Sequence, residues 1–132
     1  MEKKESEQIP MLFIRIPQSY QDEMGSLFLY ELTRGYWRVN EAKVNDVEKW
    51  PYAASVFKDK ILEVYKIDAW QKGSDAVMLT RIPTAKDKRR YVFTGTLAPK
   101  DIRKKFVGKS VVSFQKGDRS PVRYVELTNE VE

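Results

Sequence analysis

YAASVFKDKILEVYKIDAW, Tyr52 to Trp70, is the stretch that decides the fold. Two apolar runs flank Lys58-Asp59-Lys60, a short polar tip, so the stretch reads as a β-hairpin. The second run carries Ile61, Leu62, Val64, Tyr65, Ile67 and Trp70, a long series rich in β-branched and aromatic side chains. A strand of that length is expected in the interior of a sheet, with the rest of the chain packing on it or extending it.

The flanking sequence supplies further short elements. Met1–Gln8 is polar and reads as a disordered tail ahead of one domain over residues 9–132. Met11–Ile16 is an apolar strand stopped by Pro17. Ser19 with Asp22 three residues on reads as the cap of a helix over Tyr20–Thr33, with Met24, Leu27, Phe28 and Leu32 as its apolar face and Gly35 as its stop. Tyr36–Val39 reads as a short strand. Asn40–Lys49 reads as a helical turn or two capped by Asn40. Beyond the hairpin come a turn at Gly73–Asp75, a strand over Ala76–Ile82, a polar loop over Thr84–Lys88 and a strand over Arg90–Leu97. Gly95 in that strand marks a bulge or a close approach. Pro99 opens a helix over Lys100–Phe106 that Gly108 ends, with Ile102 and Phe106 inward. Val111–Phe114 and Val122–Leu127 are the last strands, separated by a turn at Gly117-Asp118. The pattern predicts an α+β domain: a mainly antiparallel, curled sheet or small open barrel with two to three helices. A parallel βαβ fold is disfavoured, because only the first helix is long enough for a crossover.

Composition narrows the chemistry. The 132 residues include no cysteine and no histidine, which removes thiolate metal sites, disulfides and every Ser-His or Cys-His arrangement. Glu63 and Asp68 are five apart on one strand and point to opposite faces, so they form no carboxylate pair. Gly108-Lys109-Ser110 looks like the end of a phosphate-binding loop, but Arg103 stands where the earlier glycine belongs. No enzyme, metal or cofactor is expected. No apolar run approaches the roughly 18 residues that span a bilayer, and no apolar signal segment follows the charged N-terminus, so a cytoplasmic protein without a membrane is expected.

The charge is uneven. The whole chain carries +5, but Lys86–Arg123 holds 12 Lys+Arg against 3 Asp+Glu, a net of +9, and the remainder holds 12 against 16, a net of −4. A field of that shape steers anions such as nucleic acid, a nucleotide or an acidic surface. Arg34 and Arg38 bracket Tyr36-Trp37, and Arg89-Arg90 precede Tyr91. Aromatics interleaved with arginine suit base stacking combined with phosphate neutralisation. Trp37 and Trp70 are the better candidates for a site and Trp50 for an anchor; core packing is the competing role for all three. Arg103, Lys104, Lys105 and Lys109 are expected to form a phosphate-contacting ridge, which Arg89, Arg90, Lys116, Arg119 and Arg123 would extend if the last strands pair near the Arg90–Leu97 strand, or else an ordinary solvated face.

The hairpin from Ala53 to Ile67, returning as ILEVYKI, resembles the central hairpin of PUA-like domains, the superfamily of the EVE, YTH and ASCH branches. That resemblance implies a small pseudobarrel that binds RNA or DNA, including a modified or flipped base held between aromatics, here Trp37 and Trp70. RGYWRV (Arg34–Val39), VYKIDAW (Val64–Trp70) and GKSV (Gly108–Val111) also resemble small bacterial or phage proteins. The expected function is a nucleic-acid-binding module acting through Arg34, Trp37, Arg38, Trp70, Arg89, Arg90, Tyr91, Arg103, Lys104, Lys105 and Lys109. The alternatives are a small-ligand or nucleotide-binding protein, of phage or defence type, and a protein-protein interaction module.

Overall fold

The computed structural model describes residues 9–17, 19–111 and 120–125. In chain order the elements are β1 (Met11–Arg15), a 3₁₀ turn (Asp22–Met24), α1 (Gly25–Arg34), α2 (Glu41–Val44), β2 (Tyr52–Phe57), β3 (Lys60–Lys72), a 3₁₀ turn (Gly73–Asp75), α3 (Ala85–Lys88), β4 (Tyr91–Leu97), α4 (Lys100–Phe106) and β5 (Val122–Val125). The strands form one open, mixed sheet in the order β4-β3-β2-β1-β5. Three of its pairings are antiparallel and β1–β2 is parallel. The domain is therefore α+β, with one crossover of the kind the sequence disfavoured, made through α1 and α2.

The hairpin forms as read, with a tighter tip. Phe57 pairs with Lys60, leaving a two-residue turn in which Lys58 and Asp59 both take positive φ, 51° and 67°. Two such residues match the type I′ turn, whose twist suits the strands it joins. Along its first half β3 pairs with β2; from Tyr65 to Lys72 it pairs with β4. Asp68 has no partner in β4, where the register slips between Ile67 and Ala69. Gly95 lies opposite this bulge, and a Cβ there would sit 2.2 Å from the Lys66 carbonyl oxygen. The close approach expected at Gly95 is thus real, and it is made by backbone.

Both faces of the sheet are covered, which explains why Met11, Leu12, Phe13 and Ile14 are all fully buried. Met11, Phe13, Ala54, Val56 and Val64 pack with Ile102 and Phe106 of α4. Leu12, Ile14, Ala53, Tyr65, Ile67 and Phe93 pack on the other face with Val44 of α2 and with Trp50. Ile16, Tyr20 and Leu29 of α1 form a third, smaller cluster. The anchor expected of Trp50 fits its full burial.

Other readings need correction. The first helix begins at Gly25, not at Tyr20: Gly25 has φ +93°, a conformation that separates α1 from the 3₁₀ turn before it. Leu27 and Met24 of its expected apolar face are exposed, while Glu31, Thr33 and Arg34 are buried. Tyr36–Val39 makes no strand, only an isolated bridge in which Trp37 and Tyr91 exchange backbone hydrogen bonds of 2.9 Å. Ala76–Ile82 pairs with no strand among the described residues. The expected loop at Thr84–Lys88 holds α3, closed by a Thr84–Asp87 capping box. Helices number four among the described residues, two of them only four residues long. Ser110 bridges Lys60 and the Val111 amide donates to the Asp59 carbonyl (2.8 Å). The tail Met1–Gln8, residues 112–114, the Gly117-Asp118 turn and the end of the last strand beyond Val125 lie outside the described residues. Among the described residues no helix is long and apolar enough to cross a membrane.

Gly95→Ala is expected to lower stability by about 2 kcal/mol, because the added carbon meets an immovable carbonyl. The urea midpoint of the variant against the parent measures this; an unchanged midpoint would show that the bulge can relax away from β4.

Candidate functional site

The bridge between Trp37 and Tyr91 builds the site. It clamps the segment after α1 onto the first residue of β4 and so sets Arg38 beside Arg90. Lys86 in α3, Arg89 at its C-terminal cap and Arg90 reach the same place from the other side. These four cations line a concavity of about 360 Å³. Arg38 and Arg90 also line an adjoining one of about 500 Å³ with Tyr36, Trp37, Ser120 and Pro121. Arg90 directly precedes β4 and Pro121 directly precedes β5, the two edge strands, so the segments leading into both edges of the sheet border one cleft.

None of Arg38, Lys86, Arg89 and Arg90 forms an ion pair with a carboxylate among the described residues. Their charge is open to a ligand. The half-buried Trp37 donates its indole Nε1–H to the Thr33 carbonyl (2.7 Å), which fixes the ring on the cleft wall. The Tyr91 hydroxyl donates a hydrogen bond to the Glu41 carboxylate (2.9 Å), which holds the phenol in its protonated form and pushes its pKa up.

The other expected site residues lie elsewhere. Trp70 is only 9% exposed and packs edge-on against Phe93, at 5.3 Å between ring centres, so it offers no face to a base. Arg34 is 6% exposed and held within the protein: Nε donates to the Phe93 carbonyl (2.9 Å), Nη1 to the Val77 carbonyl (3.2 Å), and Glu31 lies 3.6 Å away. Arg103 binds both oxygens of Glu63 at 2.8 Å. That pair borders an apolar groove of about 590 Å³ that also includes Leu27, Tyr30, Tyr65 and Leu97. Burial, then the Glu63 charge, pushes the Tyr65 phenol well up, so it stays protonated. Lys104, Lys105 and Lys109 are exposed on and after α4, apart from the cleft. Among the described residues the cleft and the concavity lined by Lys100, Arg103 and Lys104 share no lining residue, and Arg103 is paired with Glu63. Lys116 and Arg119 lie outside the described residues.

Sequence reasoning missed Lys86 as a site residue and missed Glu31 entirely. Lys86 was hidden in a segment read as loop; its α3 signal was the Thr84-x-x-Asp87 spacing of a capping box. Glu31 is 4% exposed, and its carboxylate accepts from the Leu79 amide (2.9 Å) and the Thr80 amide (2.7 Å). It holds the segment after β3 across α1. Arg81 then pairs with Asp87 and lies 4.9 Å over the Tyr36 ring, tying that segment to the cleft wall. No group of three or more His, Cys, Asp or Glu placed to hold a metal occurs among the described residues. Comparison with known protein families, with curated proteins and with solved structures finds no match for this chain.

Burial by itself raises the Glu31 pKa, but the Leu79 and Thr80 hydrogen bonds and the Arg34 charge outweigh it, and the net result is a lowering. A carboxyl whose folded pKa is lowered stabilises above its unfolded pKa and loses that contribution as pH falls through the folded value. Stability is thus expected to fall as pH drops below about 5, and Glu31→Gln to remove part of that dependence. Glu31→Ala at neutral pH strands the buried Arg34 and is expected to cost about 3 kcal/mol. Denaturation midpoints across pH measure both; a parent and a Gln variant with the same acid dependence would place the titration elsewhere.

Proposed function

We propose that this protein is a nucleic-acid-binding module of PUA-like build that lays a phosphate backbone in the cleft between the starts of β4 and β5. The observation that carries the reading is the convergence of Arg38, Lys86, Arg89 and Arg90, from both sides of the Trp37–Tyr91 bridge, with none of them paired to a described carboxylate. Isolated cations gathered in a concave wall repel one another, and an anion relieves that repulsion. Phosphate contacts position a strand, and Trp37 on the same wall supplies a surface for a base. The PUA-like build is supported by the long hairpin strand β3 and by the one cleft that the segments leading into both sheet edges border. A free nucleotide is the second reading, because a 500 Å³ concavity lies within the range of small-molecule sites, about 300–1,000 Å³.

Fluorescence anisotropy with labelled oligonucleotides over a salt series tests the first reading. Four phosphate contacts on single strands give an expected slope of log Kobs against log salt of about −3. Arg38→Ala and Arg90→Ala are each expected to weaken binding of every sequence and to flatten the slope by about 0.7. Binding that ignores salt, or no binding to DNA or RNA of either strandedness, sinks it. Tight binding of a mononucleotide with none of an oligonucleotide selects the second reading.

A further inference from the structure

The segment from Val77 to Ile82 has no use in the cleft as described, yet it is built with care. It is read from sequence as a strand but pairs with none among the described residues, and it exposes Val77 (75%), Leu79 (73%) and Ile82 (89%). Apolar side chains on a slack loop would fold back onto the protein. Here the backbone is pinned from beneath: Glu31 holds the Leu79 and Thr80 amides, and Arg34 holds the Val77 carbonyl and contacts the Met78 sulfur at 3.2 Å. Met78 and Thr80 are half-buried between the outward residues. A buried carboxylate–guanidinium pair thus fixes a loop whose effect is to present three aliphatic side chains to whatever meets it.

Charge says what meets it. Between Ala76 and Tyr91 stand Arg81, Lys86, Lys88, Arg89 and Arg90, against one carboxylate, Asp87, which is buried and paired with Arg81. Lysine is depleted in the cores of protein–protein interfaces, and Lys86 and Lys88 stand in this run. A partner that is anionic along its length and apolar in cross-section fits both features. A bilayer with acidic lipids has that chemistry but is flat, whereas Lys86, Arg89 and Arg90 line a concave wall. Ile82 is four residues from Lys86, so their Cα atoms are within about 14 Å, the length of about four stacked base steps.

We propose that the Val77–Ile82 loop is an apolar wedge that packs against unstacked bases of the strand whose phosphates lie in the cleft, so that the protein takes single-stranded or locally unpaired nucleic acid over continuous duplex. The inference rests on the phosphate-binding reading of the cleft. Aliphatic side chains inserted at base steps unstack them at a cost that is least where pairing is already lost. The wedge adds affinity without neutralising phosphate, so it leaves the salt dependence alone.

The test compares the full chain with Leu79→Ser/Ile82→Ser, two exposed positions whose replacement is checked by the thermal melt. Probes are a 20-nucleotide single strand of DNA and of RNA, the matching DNA duplex, and a single strand carrying 2-aminopurine. The double variant is expected to bind single strands about tenfold more weakly, with an unchanged salt slope, an unchanged duplex affinity, and loss of the 2-aminopurine fluorescence rise that the parent produces. A variant that binds single strands as the parent does overturns the wedge while leaving the cleft reading intact. So does a parent that dimerises or binds acidic vesicles through this loop with no change in nucleic-acid affinity in the variant. If neither protein binds any of the probes, the cleft reading itself fails and the wedge with it.

Discussion

Strand β3 pairs with a different neighbour on each side, over different parts of its length. Its first half pairs with β2, and its second half pairs with β4. The Asp68 bulge sits where β3 runs past the end of β2, and an extra residue there sharpens the local twist. Gly95 makes the bend possible, since its lack of a side chain is what allows β4 to lie against the Lys66 carbonyl. From that bend the rest follows. The start of β4 carries Arg89 and Arg90 toward the far edge of the sheet, Tyr91 becomes available to pair with Trp37, and the cleft between Arg90 and Pro121 comes into being.

The arginines divide according to whether they are solvated. Arg34 is buried, and a buried guanidinium persists only with its donors satisfied; it has Glu31, two carbonyls and a sulfur for the purpose. Arg103 and Arg81 are more exposed, yet each meets a carboxylate, Glu63 and Asp87, whose position is set by the fold. Arg38, Arg89 and Arg90 have no such neighbour among the described residues. Arg34 and Arg38 bracket the same two aromatics in sequence and end in opposite roles. Arg34 closes the last turn of a helix and turns inward, whereas Arg38 lies beyond the Trp37 bridge and stays in solvent. The same division applies to tryptophan: the apolar run that made Trp70 conspicuous also carries it into the core against Phe93.

Much of the local structure was legible. The hairpin, the Asn40 cap, the inward Ile102 and Phe106, and the tight contact at Gly95 all depend on residues close in sequence or on properties of one residue. Ala76–Ile82 has a strand's composition and no strand paired with it among the described residues. Its backbone is instead held by a carboxylate 48 residues earlier, an arrangement with no local signature. Glu31 was invisible for the same reason, because an acidic residue on a helix reads as a solvated one until something is seen to cover it.

By itself, then, the sequence determined the secondary elements that short-range periodicity and capping can specify, the absence of histidine and cysteine chemistry, and the concentration of cations after residue 86. Only the tertiary structure decided which cations are neutralised, which tryptophan lies on a cleft wall, and that the sheet is mixed. These are outcomes of pairing between distant segments. A side chain's exposure and its counter-charge depend on what packs over it, and that is set by the register of β3 against its two neighbours rather than by any residue's own identity.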